Sequence, residues 1–512
     1  MTLSGRAAPW AAAAFAVAGG ALWAWQFEAT AYRLAPWLAL APLILLMGRR
    51  RAGWLGFLHG FVCWLVALSW IPPTLVTYGG LALPLAWALF SLLAAYLGLY
   101  HAAFAALGAR VWRQSGRRSG LLPFLALPAL WVTLEWLRTY ALGGFPWNLA
   151  AYSWVDVPGA LPLTAWIGPY GLSALVVLSS VGVAAALVRR RWQPLAVALA
   201  VPLLLLPLAG RWSSRDLAAH HPAHHPTPIG TPVRLVQPNT RNLIQWDPDA
   251  VLDNYRRVFA LSEPVCEAGA LVVWPESAAW PFAYGRDRAF ADDLAALARR
   301  GCTVIFNSTH EAGESVFNSA YLLREGAPPV RYDKRHLVPF GEYVPFQGVF
   351  GFLDKLAREA SSFRAAEQLQ LLPWEEERIG MSICYEIVFP DEVAEATRAG
   401  ATVLATITND AWYGDTAAPW QHFRAAQFRA AENRRPLVRA AITGISALIA
   451  PDGSVRGRIG LFEEGVLRGR VSGRSDLTPY ARLPWLVPAL CCLVAAFAII
   501  WTVLTQRRRG TK

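Results

Sequence analysis

Charged residues are scarce in this sequence. They make up 16 % of its 512 residues, whereas soluble proteins usually carry about a quarter. The shortage is uneven, because the charges are concentrated between about Arg211 and Arg482, and both flanks consist almost wholly of Ala, Leu, Val, Trp and Phe. A soluble protein with a single core does not segregate its sequence in this way. The pattern therefore predicts flanks that lie in a bilayer and a polar domain outside it.

Cysteine is scarce as well, with six residues in the whole chain. Three of them, Cys266, Cys302 and Cys384, fall in the polar region. In an oxidising compartment this odd number leaves at least one thiol free or paired between chains. The spacing indicates no disulfide framework. Zinc-finger spacing and RNA-binding signatures are also missing, so the net charge of +12 predicts no nucleic-acid partner.

The flanks contain apolar runs that approach the roughly 20 residues needed to cross a bilayer as a helix. We predict about eight spans. They lie at about Pro9–Gln26, Ala35–Met47, Gly53–Ile71, Leu81–Ala109, Leu122–Leu142, Leu161–Val188, Trp192–Leu208 and Trp485–Leu504.

Arginine clusters indicate the orientation of these spans, because cytoplasmic loops carry an excess of Lys and Arg. The clusters follow the second, fourth, sixth and last spans. They are Arg49, Arg50 and Arg51, then Arg110, Arg113, Arg117 and Arg118, then Arg189, Arg190 and Arg191, then Arg507, Arg508 and Arg509. With eight spans, all four clusters and Arg6 share one face. This face is then cytoplasmic, both termini lie on it, and the polar domain lies outside.

These boundaries predict four segments. Residues 1–212 form a bundle of about seven helices, 213–232 a linker, 233–475 the polar domain and 483–506 a last transmembrane helix. The linker contains the pairs His220–His221 and His224–His225, which would suit a metal, but no Cys or carboxylate stands at ligand spacing. A flexible linker is the simpler interpretation.

Short β-branched runs alternate with helical patterns in the polar domain, which predicts an α/β fold with a buried sheet. The predicted strands are Val233–Gln237, Leu271–Trp274, Thr303–Ser308, Ser319–Leu323, Ile379–Cys384, Thr402–Thr408, Leu437–Thr443 and Ser446–Ala450. The predicted helices are Pro248–Cys266, Asp287–Arg300, Asp391–Ala399 and Trp420–Arg434. Residues 328–373 form a long irregular stretch, and loops of this length in compact domains are usually functional.

Three residues in this domain are candidates for covalent chemistry. Cys384 ends a predicted strand, where a tight turn would expose both its thiol and the next backbone N–H. Lys334 is a cation able to stabilise a thiolate or an oxyanion. Glu276 follows a buried strand, where a carboxylate can act as a general base. Taken singly, each is more typical of a structural residue, and the spacing alone does not distinguish the two interpretations.

Longer strings around these residues carry a resemblance. Trp274-Pro275-Glu276, Lys334 and Cys384-Tyr385-Glu386 resemble the Glu-Lys-Cys triad of the nitrilase superfamily of carbon–nitrogen hydrolases. The whole chain resembles, more narrowly, the apolipoprotein N-acyltransferase family. The strings that carry the narrower likeness are Tyr332 through Pro345, Asn409 through Gly414, Gln421-His422, Arg429 through Asn433, Thr443 through Ser446, Glu135-Trp136 and Gly144 through Trp147.

The resemblance implies a membrane α-helical bundle of about eight transmembrane helices plus a nitrilase-like αββα sandwich. It implies transfer of an acyl chain from a phospholipid, phosphatidylethanolamine above all, to Cys384 as a thioester. The chain then passes to the α-amino group of the diacylglyceryl-cysteine of an apolipoprotein. The setting would be the bacterial inner membrane, with the catalytic domain on the periplasmic side. Neither a cofactor nor a metal is implied.

The resemblance also implies roles for individual residues. Glu276 would be the base, and Lys334 and the N–H of Tyr385 would stabilise the oxyanion, with Glu342 and Glu386 as supporting residues. The substrate site would be lined by Trp246, Asn318, Phe340, Tyr343, Trp412 and Tyr413. Pro238 stands where the family usually has Gly, so the detail of that turn differs.

Two other functions compete. A membrane-tethered amidase would pass through the same thioester and release the acyl group to water, but a soluble substrate gives no reason for about eight helices. A transporter would need ionisable groups deep in the bundle, and the sequence has few. Among these, Glu135 is a functional candidate, although a local pair with Arg138 is the plainer explanation.

Overall fold

The chain is described by a computed structural model over residues 9–28, 37–38, 40–115, 120–220, 230–240, 247–339, 341–343 and 363–510. It divides into two compact units. One unit comprises Met1–Pro73, Ala82–Trp212 and Leu483–Lys512, and the other comprises Thr74–Leu81 and Ser213–Arg482. We refer to them as the helical unit and the catalytic unit.

The helical unit is built from apolar helices, and two helices begin in one unit and end in the other. The helices are α1 (Pro9–Trp25), α2 (Ala41–Leu46), α3 (Ala52–Ala67), α4 (Ile71–Thr77), α5 (Leu83–Ser115), α6 (Leu122–Tyr140), α7 (Ala160–Arg189), α8 (Gln193–His220) and, after the catalytic unit, α14 (Leu486–Gly510). Within the described residues, α5, α7, α8 and α14 are long and apolar enough to cross a membrane. The bent pair α3 and α4 would make a fifth span.

Of the prediction of about eight spans, only the coarser statement is confirmed, that the described residues contain four or five candidate spans. α1 has 17 residues, and α6 has 19 but contains Glu135 and Arg138. The second predicted span, Ala35–Met47, lies partly outside the described residues, and its described helix α2 has only six residues.

Small residues let α3 and α5 approach closely. A Cβ atom added to Gly56 would lie 2.6 Å from both the Cβ of Ala105 and the carbonyl oxygen of His101. Interfaces of this kind are common between helices in membranes, where small residues bring backbones together.

Glu135 and Arg138 are both buried within the helical unit. A guanidinium nitrogen of Arg138 lies 4.0 Å from a Glu135 carboxylate oxygen. The same oxygen accepts a hydrogen bond of 2.7 Å from the N–H of Ala150, and Arg138 donates to the carbonyl of Trp147 at 2.8 Å. The local pair predicted from the sequence is present, and it fixes the loop after α6.

The catalytic unit contains two six-stranded sheets. The strands are β1 (Thr231–Gln237), β2 (Leu271–Val273), β3 (Thr303–Ala312), β4 (Ser315–Leu323), β5 (Val330–Asp333), β6 (Leu371–Trp374), β7 (Glu377–Ile383), β8 (Val403–Thr408), β9 (Leu437–Ala441), β10 (Ser446–Ile449), β11 (Val455–Ile459) and β12 (Gly465–Val471). The first sheet has the order β12-β1-β2-β3-β4-β5 and the second β11-β10-β9-β8-β7-β6. At the centre of each sheet three strands run parallel: β1, β2 and β3 in the first, and β7, β8 and β9 in the second.

Alternation along the strands decides which side chains enter the core between the sheets. Leu271, Val273 and Ile305 pack against Ile379 and Met381 of the second sheet. Successive side chains of a strand point to opposite faces. The intervening residues therefore form a second core on the outer face of the first sheet, in contact with two helices, α9 (Pro248–Ser262) and α10 (Arg288–Ala298).

Helices α11 (Pro390–Arg398) and α12 (Ala418–Asn433) pack on the second sheet, and a short helix α13 (Pro479–Arg482) packs against both. The αββα arrangement is the nitrilase-like fold that the resemblance implies. All eight predicted strands and all four predicted helices of this unit are confirmed, with ends that differ by a few residues.

Four strands, β5, β6, β11 and β12, were not predicted. β6 contains Pro373 at the edge of its sheet, where a missing N–H costs no ladder hydrogen bond, and proline masks the strand pattern. β11 and β12 carry Arg at alternate positions, so their sequences resemble surface loops. A disulfide joins Cys266 to Cys302, which leaves Cys384 as the free thiol among the three cysteines of this unit.

Candidate active site

The three candidate catalytic residues follow strands that end at the same side of the sandwich. Glu276 follows β2 and Lys334 follows β5 in the first sheet, while Cys384 follows β7 in the second. All three are buried, Lys334 being only 1 % exposed. The fold thus brings together residues that are separated by up to 108 positions in the chain.

Cys384 begins a short 3₁₀ turn, Cys384–Val388, directly after β7. Its φ angle is 52°, in the left-handed region that residues other than glycine seldom adopt. Such a conformation persists only where the surroundings hold it. It turns the chain sharply at the edge of the core, so that the N–H of Tyr385 comes directly after the buried thiol.

Lys334 lies between two carboxylates. Its Nζ donates to Oε1 of Glu342 at 2.9 Å and lies 3.6 Å from Oε1 of Glu276. Asn318 Nδ2 donates to both carboxylates, at 3.0 Å to Glu276 and 2.9 Å to Glu342. Oε2 of Glu276 accepts the N–H of Asn409 at 3.0 Å. We call Glu276, Lys334 and Glu342 the lysine cluster.

This environment shifts the pKa values of the lysine and the thiol. Burial alone would lower the pKa of Lys334, but Glu342 and Glu276 raise it above its ordinary value, so the side chain is an ammonium. Burial raises the pKa of the Cys384 thiol, and the charge of Glu276 raises it further, while Lys334 opposes both. The raised pKa favours the thiol form of Cys384, which would need a base in order to attack a carbonyl carbon.

Glu386 joins the two loops that carry Cys384 and Lys334. Its Oε2 accepts the N–H of Ile383 at 2.7 Å, and its Oε1 accepts the N–H groups of Arg335 and His336 at 2.6 and 3.1 Å. Tyr332 adds a hydroxyl at 2.9 Å. Burial raises the pKa of Glu386 to about 7, although the N–H donors lower it. One side chain thus fixes the strand ends of both sheets relative to each other.

A second buried polar group lies behind Cys384. His422 Nε2 donates to the carbonyl oxygen of Cys384 at 3.0 Å, and Nδ1 of the same ring lies 3.1 Å from Oδ1 of Asp410. Arg439 donates to Oδ2 of Asp410 at 2.7 Å. We call Asp410, His422 and Arg439 the histidine cluster. Asp410 and His422 occur in strings that carry the family resemblance, but the sequence assigned them no role, and it gave no signal for Arg439.

The predicted substrate residues fall into three groups. Asn318 lies in the lysine cluster, and Tyr343 follows Glu342 in a short bridge to Pro339. Trp412 and Tyr413 belong to a 3₁₀ turn after β8, where Trp412 is 43 % exposed. Burial, followed by the charge of Cys384, raises the pKa of Tyr413. Trp246 and Phe340 lie outside the described residues.

The segment Thr74–Leu81 contacts this turn. Thr74 Oγ1 donates to the carbonyl of Trp412, and Tyr78 OH donates to the carbonyl of Ala411, both at 3.0 Å. The ring of Tyr78 meets that of Trp412 edge to face, with centroids 4.6 Å apart. This contact was not predicted, because no residue pattern in the segment is typical of a functional site.

Within the ranges that the structure describes, no three or more His, Cys, Asp or Glu side chains are grouped to hold a metal ion. What the site does contain is a buried thiol, a carboxylate that can take its proton, and an ammonium between two carboxylates. This set suits attack on a carbonyl carbon through a covalent intermediate.

Comparison with known proteins agrees with this geometry. Residues 19–182 match the family model described as "Apolipoprotein N-acyltransferase N-terminal domain", and residues 233–480 match that of the carbon–nitrogen hydrolases. An apolipoprotein N-acyltransferase of Geobacter metallireducens is 36 % identical, with 94 % of each chain covered. One from Shewanella oneidensis is 32 % identical, covering 87 % of this chain and 86 % of its own. A third, from Pseudomonas paraeruginosa, is 34 % identical over 98 % of this chain and 97 % of its own. The chain belongs to the apolipoprotein N-acyltransferase family.

Proposed function

We propose that this N-acyltransferase carries a fatty acyl chain as a thioester on Cys384, from a phospholipid to the N-terminal α-amino group of a diacylglyceryl-cysteine in apolipoproteins. The observation that carries the proposal is the burial of Cys384 beside Glu276 and Lys334 at adjoining strand ends. Membership of the family supplies the class of acceptor.

In the first half-reaction, Glu276 takes the proton of the Cys384 thiol while the sulfur attacks the ester carbonyl carbon of the phospholipid. The carbonyl oxygen becomes an oxyanion, stabilised by Lys334 and the N–H of Tyr385. When the tetrahedral intermediate collapses, the C–O bond breaks and the leaving alkoxide takes the proton from Glu276. Lysophospholipid departs, and the acyl group remains on sulfur.

In the second half-reaction, the α-amino nitrogen attacks the thioester carbonyl carbon and gives a proton to Glu276. The C–S bond then breaks, an amide forms, and the proton returns to Cys384. The raised pKa of the thiol supports this order of events, because the proton moves only when the attack begins. Glu342 orients Lys334, and Glu386 orients both loops.

The substrate site includes Asn318, Tyr343, Trp412 and Tyr413, together with Trp246 and Phe340. The exposed indole of Trp412 suits an acyl chain, and phosphatidylethanolamine is the donor we propose. An amidase with the same triad, releasing the acyl group to water, is not favoured by the family relationship.

The membrane arrangement we propose has eight spans, with both termini in the cytoplasm and the catalytic domain on the periplasmic face of the bacterial inner membrane. The arginine clusters support this orientation. The disulfide between Cys266 and Cys302 supports an oxidising compartment. We propose the segments 1–212, 213–232, 233–475 and 483–506 as bundle, linker, catalytic domain and last span. In the structure, α8 continues to His220 and so includes the first part of this linker.

The test incubates the purified full-length protein with phosphatidylethanolamine and a diacylglyceryl-cysteinyl peptide, followed by mass spectrometry of both peptide and protein. A peptide heavier by one acyl group, with a thioester trapped on Cys384 when the peptide is omitted, is the expected result. Cys384→Ser is the control and should transfer nothing while remaining folded in the membrane. Free fatty acid without acylated peptide would refute the transferase and identify a hydrolase.

A further inference from the structure

The carbonyl oxygen of Cys384 is held by a side chain from a distant part of the sequence. Because φ of this residue is 52°, the peptide group that follows the nucleophile lies in an orientation that the chain does not prefer. His422, on α12, donates through Nε2 to this carbonyl at 3.0 Å. That same peptide group carries the N–H of Tyr385, so the bond sets the direction in which this N–H points.

His422 is itself fixed by charged groups. Its Nδ1 lies 3.1 Å from Oδ1 of Asp410 and 3.3 Å from a guanidinium nitrogen of Arg439. The side chains of all three residues are completely buried. Thr408 donates to Oδ1 of Asp410 at 2.8 Å, and burial, which alone would raise the pKa of Asp410, is outweighed by Arg439 and His422, so that it falls to about 2.

Asp410 packs closely against the backbone of Gly444. A Cβ atom added to Gly444 would lie 2.2 Å from Oδ2 of Asp410, so the absence of a side chain at Gly444 admits the carboxylate. Arg439 is held in turn through Nε by the carbonyl of Ile445 at 3.1 Å. The sheet thus holds Arg439, Arg439 holds Asp410, and Asp410 holds the imidazole of His422.

The histidine cluster is also joined to the general base. The residue before Asp410 is Asn409, whose backbone N–H donates to Oε2 of Glu276 at 3.0 Å. Asn409, directly after β8, thus orients Glu276. Asp410, the next residue, orients the peptide group after Cys384 through His422. Both groups must keep their places through the two half-reactions.

We propose that Asp410, His422 and Arg439 are positioning residues that fix the peptide group between Cys384 and Tyr385, and thereby the direction of the thiol and of the Tyr385 N–H towards the reacting carbonyl. This inference rests on the proposed thioester mechanism. The cluster contacts the backbone carbonyl of Cys384 through His422. It acts by pre-organising the oxyanion site, where a misplacement of about 1 Å can cost about 100-fold in rate.

The experiment measures the first half-reaction alone, in the full-length enzyme with phosphatidylethanolamine and no peptide. The thioester is quantified by mass spectrometry, and the final amount of thioester per protein counts the competent sites. The rate constant per competent site is then compared among variants. This normalisation separates positioning from a merely structural role, which would reduce the number of sites but leave the rate of each unchanged.

Two substitutions of His422 form a matched pair. His422→Leu removes the donor, and we expect the rate constant per site to fall by about 100-fold, with the half-saturating phospholipid concentration unchanged within about twofold. His422→Gln places an amide N–H near the former Nε2, and we expect it to remain within about tenfold of the wild type. Gln427→Leu is the control, because Gln427 on the same helix donates to a carbonyl elsewhere, that of Gly453.

Asp410→Asn provides a second measurement if His422→Leu does not fold. It keeps the volume but loses the charge that pairs with Arg439, and we expect a rate per site at least about tenfold below that of Gln427→Leu. Equal rates per site in Asp410→Asn and Gln427→Leu would overturn the proposal, as would a His422→Gln variant as slow as His422→Leu. If the wild type forms no thioester on Cys384, the proposed function fails as well, and the two failures are thus distinguishable.

Discussion

Two buried charged clusters flank the nucleophile, one at the end of each sheet. The lysine cluster places the ammonium of Lys334 between the carboxylates of Glu276 and Glu342. The histidine cluster places the carboxylate of Asp410 between a guanidinium and an imidazole, and that imidazole donates to the backbone carbonyl of Cys384. We propose that the two clusters differ in role, the first moving protons and stabilising charge and the second holding a peptide group in place.

The largest effects should come from the lysine cluster. Glu276→Gln keeps the size and shape of the side chain but removes the base, and we expect thioester formation to fall by about 10²- to 10⁴-fold. Lys334→Ala should block the same step by removing the oxyanion donor. Single-turnover mass spectrometry with phospholipid alone checks both. A normal rate of acyl-enzyme formation in either variant would remove that residue's assigned role.

The ionisation of Cys384 sharpens the comparison, because it shows whether the charge of Lys334 or burial has the larger effect on the pKa of the thiol. The pKa of the thiol is raised above its ordinary value of 9.0, so the thiolate is a minor form at neutral pH and its fraction is still rising at pH 9. We expect alkylation of Cys384 by iodoacetamide to rise about tenfold per pH unit through neutral pH and to continue rising beyond pH 9. Mass spectrometry of the labelled peptide measures the rate. A plateau near pH 7 would show a preformed thiolate stabilised by Lys334.

Glu386 connects the two sheets, so its removal should loosen both loops together. Glu386→Gln exchanges one acceptor oxygen for an NH₂ group that faces backbone N–H donors, and we expect turnover to fall by about 10- to 100-fold. Both half-reactions should slow. A variant that slows only the second one, measured by peptide acylation from preformed thioester, would contradict the bridging role.

The same residue predicts a pH effect on stability. Its pKa of about 7 in the folded protein exceeds its ordinary 4.5, so between these pH values the folded state binds more protons than the unfolded chain. Its contribution to stability therefore decreases as pH rises from 4.5 to about 7 and is constant above that. Melting temperatures in detergent between pH 5 and 8 should show this decrease in the wild type and a smaller one in Glu386→Gln. Identical pH profiles for the wild type and Glu386→Gln would show that Glu386 does not cause the decrease in stability.

The smallest effect should come from the segment Thr74–Leu81, which touches the turn of Trp412 and not the reacting groups. Tyr78→Phe removes one hydrogen bond to the carbonyl of Ala411, and we expect a change of about tenfold or less, confined to the half-saturating lipid concentration. Steady-state acylation over a range of lipid concentrations measures it. A fall in the rate at saturating lipid would show that the turn takes part in chemistry.

The two clusters also differ in how far the sequence reveals them. Glu276, Lys334 and Cys384 stand in strings that resemble a known family. Glu276 and Cys384 also follow strands whose hydrophobic runs are clear, whereas Lys334 follows β5, which was not predicted. Arg439 lies inside β9, where the sequence reads as an ordinary apolar strand, and its partner Asp410 is 29 residues away. A pairing of this kind depends on how β8 and β9 lie side by side, which no local pattern contains.

The helical unit shows the same limit. Apolar composition identified the long spans α5, α7 and α14, because length and hydropathy are local properties. It did not determine whether α1 and α6 cross a membrane. α6 carries the buried pair Glu135 and Arg138, and the free-energy cost of placing two charged side chains in a bilayer falls only when the folded bundle brings them together. The contact between Tyr78 and Trp412 joins residues 334 positions apart, and no pattern in the sequence predicts it.

The disulfide between Cys266 and Cys302 has a consequence for the Cys384 thiol while the protein is being made. Both of these cysteines precede Cys384 in the chain, so they emerge first and, where thiols are oxidised, can pair before the catalytic sulfur is exposed. Once they are paired, Cys384 meets no free thiol in its own domain with which to form a wrong bridge. Replacing either cysteine would leave the other as a free thiol that can form a wrong disulfide with Cys384. The resulting loss of activity should then be reversed by a reductant.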